Sequence, residues 1–233
     1  MKKIRKIAIA GFVLILVLFA IYFFFIRFNF HTVISGQVYR CAQPSAKQLA
    51  KIKERYKIRS VINLRSLHFT DSRYQAEARA CHALKIYLFH LRMSPKDFPS
   101  VVKLKELVNL LRTVPKPMLI HCRAGADRTG LASAITLILH DYPIQAVTYQ
   151  YSYHDLALSP NSVGKLVIPY YICWLKQHNL KSSRKNFLIW LHQLKPGVNF
   201  PLPGDSPNDY RISSDNCKLQ FTSKFNVTKE KFR

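Results

Sequence analysis

A short polar loop between two apolar segments constrains the fold of this chain more than any other feature. Met118-Leu119-Ile120 is an apolar run of the kind that forms a buried strand, and it leads directly into His121-Cys122. Residues 129–140 (TGLASAITLILH) then predict a buried helix. A strand that passes through a tight loop into a helix is a building unit of layered α/β proteins.

The flanking sequence repeats this alternation of strands and helices. Short strands are predicted at 38–39, 60–64 and 86–91, and helices at 45–56, 71–84 and 101–112, with further helices at 144–153, 162–178 and 184–194. Ser45 and Asp71 stand where helix N-caps are expected. We therefore predict one α/β domain over residues 35–195, with a central, mostly parallel sheet flanked by helices, followed by an irregular basic tail over 196–233.

The N-terminus predicts a membrane anchor. Residues 7–26 (IAIAGFVLILVLFAIYFFFI) are twenty residues without a charge, after a basic segment at 1–6. The segment is long for a signal peptide and lacks a small-residue cleavage site, which favours an uncleaved transmembrane helix over a cleaved signal. The basic excess before it predicts a cytoplasmic N-terminus and places the domain that follows outside the cytoplasm.

The charge of the chain predicts an anionic partner. Lys and Arg number 36 against 12 acidic residues, for a formal net charge of +24. An anionic membrane surface or a phosphorylated substrate fits this excess, although solubility or compositional bias is an alternative explanation. No nucleic-acid-binding motif is present, so we expect no nucleic-acid partner.

The loop itself has the properties of a phosphate cradle. Backbone N–H groups at residues 123–126 and the start of the helix can point at a bound oxyanion, and Gly125 lets the chain curl around it. Arg128 offers a planar fork for two phosphate oxygens, and Arg123 adds charge at the rim. The same field should favour the thiolate of Cys122, which can attack phosphorus and form a phosphocysteine.

The segment His121-Cys122-Arg123-Ala124-Gly125-Ala126-Asp127-Arg128-Thr129-Gly130 resembles the signature loop of cysteine-dependent protein tyrosine and dual-specificity phosphatases. Two further segments, 36–44 and 61–65, resemble the compact bacterial dual-specificity group, and the resemblance covers about residues 35–195. It implies a phosphotyrosine-phosphatase-like fold and phosphomonoester hydrolysis with Cys122 and Arg128 at its centre. Thr129 would donate to the departing sulfur, and His121 and Gly130 would support the loop.

The general acid has two candidates. The resembled family uses an Asp on an upstream loop, which predicts Asp97 in residues 94–99, although its interval of 25 residues before Cys122 is short. Asp127 is the alternative, because it lies inside the loop beside Arg128. The proposed chemistry requires no metal and no cofactor.

The substrate is left open by the sequence. A phosphorylated protein and a phospholipid both fit, but phosphoinositide phosphatases usually carry Lys where this chain has Ala126. The alternatives of another class are a non-catalytic anion- or lipid-binding module and another enzyme with a Cys-x5-Arg loop.

Overall fold

The computed structural model describes residues 2–21, 28–66, 68–159, 162–194, 210–212 and 219–221. Five of the strands form one mixed sheet with the spatial order β1-β2-β5-β3-β4. These strands are β1 (His31–Ile34), β2 (Val38–Cys41), β3 (Ser60–Asn63), β4 (Tyr87–His90) and β5 (Met118–His121). The strands β2, β5, β3 and β4 run parallel, and β1 pairs antiparallel with β2 at one edge. The prediction of a mostly parallel central sheet is confirmed.

Helices cover both faces of the sheet, as the parallel connections require. The α-helices of the described residues are α1 (Lys2–Ile21), α2 (Ala46–Tyr56), α3 (Ser72–Ala83), α4 (Val101–Thr113), α5 (Asp127–Leu139), α6 (Ile144–Tyr149), α7 (Val163–Gln177) and α8 (Arg184–Gln193). Ser45 caps α2 in a capping box with Gln48, and Asp71 caps α3. Both predicted caps are confirmed.

The two faces of the sheet have separate hydrophobic cores. The smaller core joins α2 and α3 to the sheet, through side chains such as Leu49, Cys81 and Leu119. The larger core contains α4, α5, α7 and α8. In this core α5 is buried along its whole length from Arg128 to Leu139, which fixes the helix that follows the loop against both the sheet and the outer helices.

The prediction of a transmembrane helix over residues 7–26 is wrong. Among the residues that the structure describes, no helix combines the length and the apolar character that a bilayer crossing needs. The helix α1 begins at Lys2 and ends at Ile21, so that its first turns contain four basic residues.

The predicted single-pass membrane localisation is wrong for the same reason, and with it the predicted topology of a cytoplasmic N-terminus and a domain outside the cytoplasm. Residues 22–26 of the predicted span lie outside the described residues. In the predicted irregular tail, β6 (Tyr210–Ile212) and β7 (Leu219–Phe221) are an exception, because they pair antiparallel.

Candidate active site

The predicted loop lies at the carboxyl edge of the parallel strands. β5 ends at His121, and α5 begins at Asp127. The neighbouring strands β2 and β3 end in register with His121, at Cys41 and Asn63. Ligands of open α/β sheets bind beyond the carboxyl ends of the strands. The position of the loop is therefore that of a ligand-binding site.

Cys122 is a buried thiol whose surroundings lower its pKa. Burial alone would raise its pKa, since it disfavours the charged form. The positive charge of Arg128, the hydroxyl of Thr129 and the backbone N–H groups of Thr129 and Gly125 outweigh that effect, and the pKa of Cys122 is held below its ordinary value. The arrangement can stabilise a thiolate, which is the nucleophilic form of cysteine.

Arg128 is turned inward beside the thiol. It is 8% exposed, and its Nη1 donates to the carbonyl oxygens of Leu64, at 3.4 Å, and Met93, at 3.3 Å. These carbonyls follow the carboxyl ends of β3 and β4. No carboxylate among the described residues pairs with Arg128, and its buried Nε has no hydrogen-bond partner there. Its charge is thus available to an anion in the loop.

Two glycines of the motif are required by close backbone contacts. Gly125 has φ +69°, and a Cβ built on it would lie 2.6 Å from the backbone nitrogen of Ala42 and from the carbonyl carbon of Cys41. A Cβ on Gly130 would lie 2.7 Å from the carbonyl oxygen of Gln150. The loop can therefore approach β2, and α5 the following segment, only because both positions lack a side chain.

His121 is held by a buried carboxylate that the sequence did not reveal. Its Nε2 contacts Glu77 Oε1 on α3, and Asn63 Nδ2 donates to the other oxygen of Glu77. The opposite ring nitrogen, Nδ1, lies 3.3 Å from the carbonyl oxygen of Cys122. The chain of contacts from Asn63 through Glu77 and His121 to this carbonyl supports the shape of the loop from behind.

Burial also acts on the pKa of Glu77, and again it is outweighed. Burial would raise this pKa, but the charge of His121 and hydrogen bonds from His121, Asn63 and Gln43 hold it below its ordinary value. The carboxylate is therefore stabilised in its charged form opposite the imidazole.

A second buried group was also missed, and it ties the loop to the C-terminal half of the domain. Arg40, which is fully buried, donates from Nη2 to the carbonyl oxygen of Gly125 at 2.7 Å and from Nη1 to Asp155 Oδ2 at 2.8 Å. Asn29 donates from Nδ2 to the carbonyl oxygens of Ala124 and Asp155. Neither Asp155 nor Asn29 belongs to a sequence motif. Only Arg40 could have been suspected, as a charged residue within an apolar strand.

The two candidate acids lie in different environments. Asp97 is exposed, and its Oδ2 accepts a hydrogen bond from Ser94 Oγ at 2.6 Å. Asp127 is the first residue of α5 and is partly buried, and its Oδ1 has no hydrogen-bond partner among the described residues.

The remaining predicted residues form the loop and its rim. Arg123 and Ala124 are exposed, Ala126 is buried, and Thr129 is fully buried. Arg65, shortly after the end of β3, and Arg73, on α3, lie near the rim of the loop. From the sequence, Arg65 could be either a substrate contact, a partner of a loop carboxylate or an exposed structural residue, and Arg73 was not predicted. Within the described part of the chain, no group of three or more His, Cys, Asp or Glu side chains is arranged to hold a metal ion.

Comparison with known proteins agrees with the fold and shows the family. A family model described as "Tyrosine phosphatase family" matches residues 28–163, which is more than half of the chain. The structure is similar to the core catalytic domain of the PP-IP phosphatase Siw14 from S. cerevisiae in complex with citrate. The TM-score is 0.52 at 20% identity, with coverage of 65% of this chain and 93% of that chain.

A second similar structure is TpbA from P. aeruginosa in complex with pTyr, with a TM-score of 0.45 at 19% identity and coverage of 59% of this chain and 80% of that chain. No curated protein sequence matches the chain. The likeness to Siw14 confirms the predicted phosphatase-like α/β fold.

Proposed function

This chain belongs to the tyrosine phosphatase family, and on that premise we propose that it hydrolyses phosphomonoesters with Cys122 as the nucleophile. One observation carries the assignment to this residue. Cys122 is buried between the end of β5 and the start of α5, where the charge of Arg128 and the N–H groups of Gly125 and Thr129 act on its sulfur, favour the thiolate and lower its pKa. The same groups would bind the equatorial oxygens of a phosphoryl group.

In the first step, the sulfur of Cys122 attacks phosphorus and forms the S–P bond, while the bond from phosphorus to the ester oxygen breaks. The leaving oxygen takes a proton from a general acid. Arg128 would bind two of the phosphoryl oxygens through its guanidinium, after leaving its long contacts to the Leu64 and Met93 carbonyls.

In the second step, water attacks the phosphocysteine and releases inorganic phosphate. The sulfur leaves as a thiolate, and the same charge and hydrogen bonds that lower the pKa of Cys122 make it a good leaving group. Thr129 would donate its hydroxyl to the sulfur in this step. His121 would hold the loop through its contacts to Glu77 and the Cys122 carbonyl.

Either Asp97 or Asp127 is proposed as the general acid. The two alternatives can be distinguished by how the hydrolysis rate of each variant depends on the leaving group of the substrate. An acid matters most for a substrate with a poor leaving group, so we expect Asn at the true acid to slow hydrolysis of an alkyl phosphate by about 10²–10⁴-fold. Hydrolysis of p-nitrophenyl phosphate should slow much less. The other variant serves as the control, and equal loss on both substrates in both variants would contradict an acid role for either residue.

Turnover itself tests the proposal. The full chain should hydrolyse a small aryl phosphate in reducing buffer with a metal chelator present, and Cys122→Ser should reduce the rate to background. A folded wild type with a free thiol and no turnover would favour the alternative of a non-catalytic anion-binding module.

A further inference from the structure

A second anion-binding region lies beside the loop. An open cavity of about 730 Å³ adjoins it, and its lining includes Arg65, Arg73, Arg123, Ala124, Gln43 and Leu156. Its size is within the range of small-molecule sites. Among the described residues that line it, three are arginines and none is acidic. Because Arg123 and Ala124 belong to the loop that follows Cys122, a molecule bound in the loop can extend directly into this cavity.

Arg65 is the residue that most clearly requires an anion. It is 7% exposed, and its Nη1 donates to Gln43 Oε1, a neutral partner, at 2.8 Å. No carboxylate among the described residues forms a salt bridge with it. Arg40 shows the contrast, since it is fully buried but paired with Asp155 at 2.8 Å. A buried cation without a counter-ion is costly unless a ligand supplies one.

The other two arginines strengthen the positive field of the cavity. Arg73 is held by Asp71 through two hydrogen bonds, which fix its orientation and leave other N–H groups to a ligand. Arg123 is exposed in the loop. Burial is the main cause that lowers the pKa of Arg65, and the charges of Arg73, Arg128 and Arg123 lower it further against the opposing charge of Asp71. Three arginines therefore line one open cavity, and Arg128 adds its positive charge nearby.

We propose that this cavity is a second phosphate subsite, so that the enzyme prefers small phosphomonoesters carrying at least one further phosphate group. The inference rests on the proposed function, because the first phosphate occupies the loop at Cys122. The second phosphate would contact Arg65, with Arg73 and Arg123 completing the site. The chemistry is shared by soluble polyphosphates and by the head groups of phosphorylated lipids.

Competitive inhibition of aryl phosphate hydrolysis by the full chain tests the subsite. Inorganic phosphate probes the loop alone, and inositol hexakisphosphate probes the loop and the cavity together. We expect the hexakisphosphate to inhibit at much lower concentration than phosphate. We take the ratio of the inhibition constant for phosphate to that for the hexakisphosphate. In Arg65→Gln and in Arg73→Gln, this ratio should fall by about tenfold, which is the effect of one charge-assisted hydrogen bond.

The ratio distinguishes a subsite from a disturbed loop, because a disturbed loop would change both inhibition constants alike. Arg79→Gln is the matched control for Arg73→Gln. Arg79 is also exposed on α3, but it does not line the cavity. An unchanged ratio in Arg65→Gln and Arg73→Gln, or an equal fall in Arg79→Gln, would overturn the subsite and indicate general attraction of polyanions to a basic protein.

A short-chain, water-soluble phosphoinositide separates the two sources of the second phosphate. Inhibition by both this compound and the free inositol phosphate, with the same dependence on Arg65, supports recognition of the head group alone. Inhibition by the lipid only, again dependent on Arg65, supports the subsite with a lipid as its source. If aryl phosphate turnover is normal but the hexakisphosphate inhibits no better than phosphate, the subsite is overturned and the proposed function remains intact.

Discussion

At the scale of single residues, two buried cysteines show that burial alone does not make a reactive thiol. Cys41 is fully buried, and burial together with the negative charges of Glu77 and Cys122 raises its pKa well above the ordinary value. Cys122 is as deeply buried, but the charge of Arg128 and the hydrogen bonds from Thr129 and Gly125 shift its pKa in the opposite direction. Reactivity therefore depends on the donors that face the sulfur.

This difference predicts the pH dependence of alkylation. The rate of reaction of Cys122 with iodoacetate should follow its thiolate fraction, with a midpoint below that of a free cysteine, because the pKa is lowered. Thr129→Val removes one donor that lowers this pKa, so the midpoint should move to higher pH. Cys122→Ser gives the background from the other thiols. A midpoint that is the same in wild type and Thr129→Val would contradict the role of this hydroxyl.

Glu77 predicts a second pH effect, on stability. Its pKa is lowered in the folded protein from an ordinary value of 4.5, so the carboxylate stabilises the fold above that pH, and the contribution is lost as the pH falls below it. Glu77→Gln should cost about 1–3 kcal/mol of unfolding free energy near neutral pH, since it leaves a buried polar network incomplete.

Urea unfolding at several pH values measures this effect. The difference between wild type and Glu77→Gln should shrink as the pH falls through the acidic range, and kcat/KM should fall in the variant because the loop is less well supported. Glu106→Gln, an exposed change on α4, is the control. A difference in stability that does not depend on pH would contradict the assignment.

At the scale of elements, the unit β5–loop–α5 is the part of the fold that its local sequence determines. The strand Met118–His121, the loop and the helix Asp127–Leu139 occur where the sequence predicts them. The helix begins two residues earlier than predicted, at Asp127, because the loop turns directly into it. Gly125 is the critical position, since it combines a left-handed backbone with a close approach to β2.

Two glycines with nearly the same backbone angle provide a matched test. Gly36 has φ +70° with no atom within 4 Å of an added Cβ, whereas a Cβ on Gly125, at φ +69°, would meet backbone atoms at 2.6 Å. Gly36→Ala should cost about 1–2 kcal/mol through backbone strain alone and retain activity. Gly125→Ala should cost more and lose most activity, as measured by urea unfolding and aryl phosphate hydrolysis. Equal effects of the two changes would show that steric contact at β2 is unimportant.

At the scale of the whole molecule, the site depends on contacts between distant parts of the chain. Arg40 and Asp155 are 115 positions apart, yet their hydrogen bond connects β2, the loop and the segment after α6. Asn29 bridges the loop and Asp155 from the other end of the domain. The loop is therefore held by the tertiary structure as well as by its own sequence.

The same scale explains what the sequence could and could not predict. The loop residues were predictable because their spacing is local and their chemistry is specific. Glu77 and Asp155 were not, because only folding brings them to the loop, and Arg40 could be suspected only as a charged residue within an apolar strand. The prediction of a membrane anchor was wrong, because no helix among the described residues combines the length and the apolar character that a bilayer crossing needs.

The most direct test of the central claim is to trap the covalent intermediate. The full chain is mixed with an aryl phosphate, quenched in alkaline denaturant and digested, and the peptides are analysed by mass spectrometry. The account predicts a peptide heavier by one phosphoryl group, with the modification on Cys122 and absent in Cys122→Ser. Turnover without any phosphorylated Cys122 peptide, or turnover that persists in Cys122→Ser, would contradict the account.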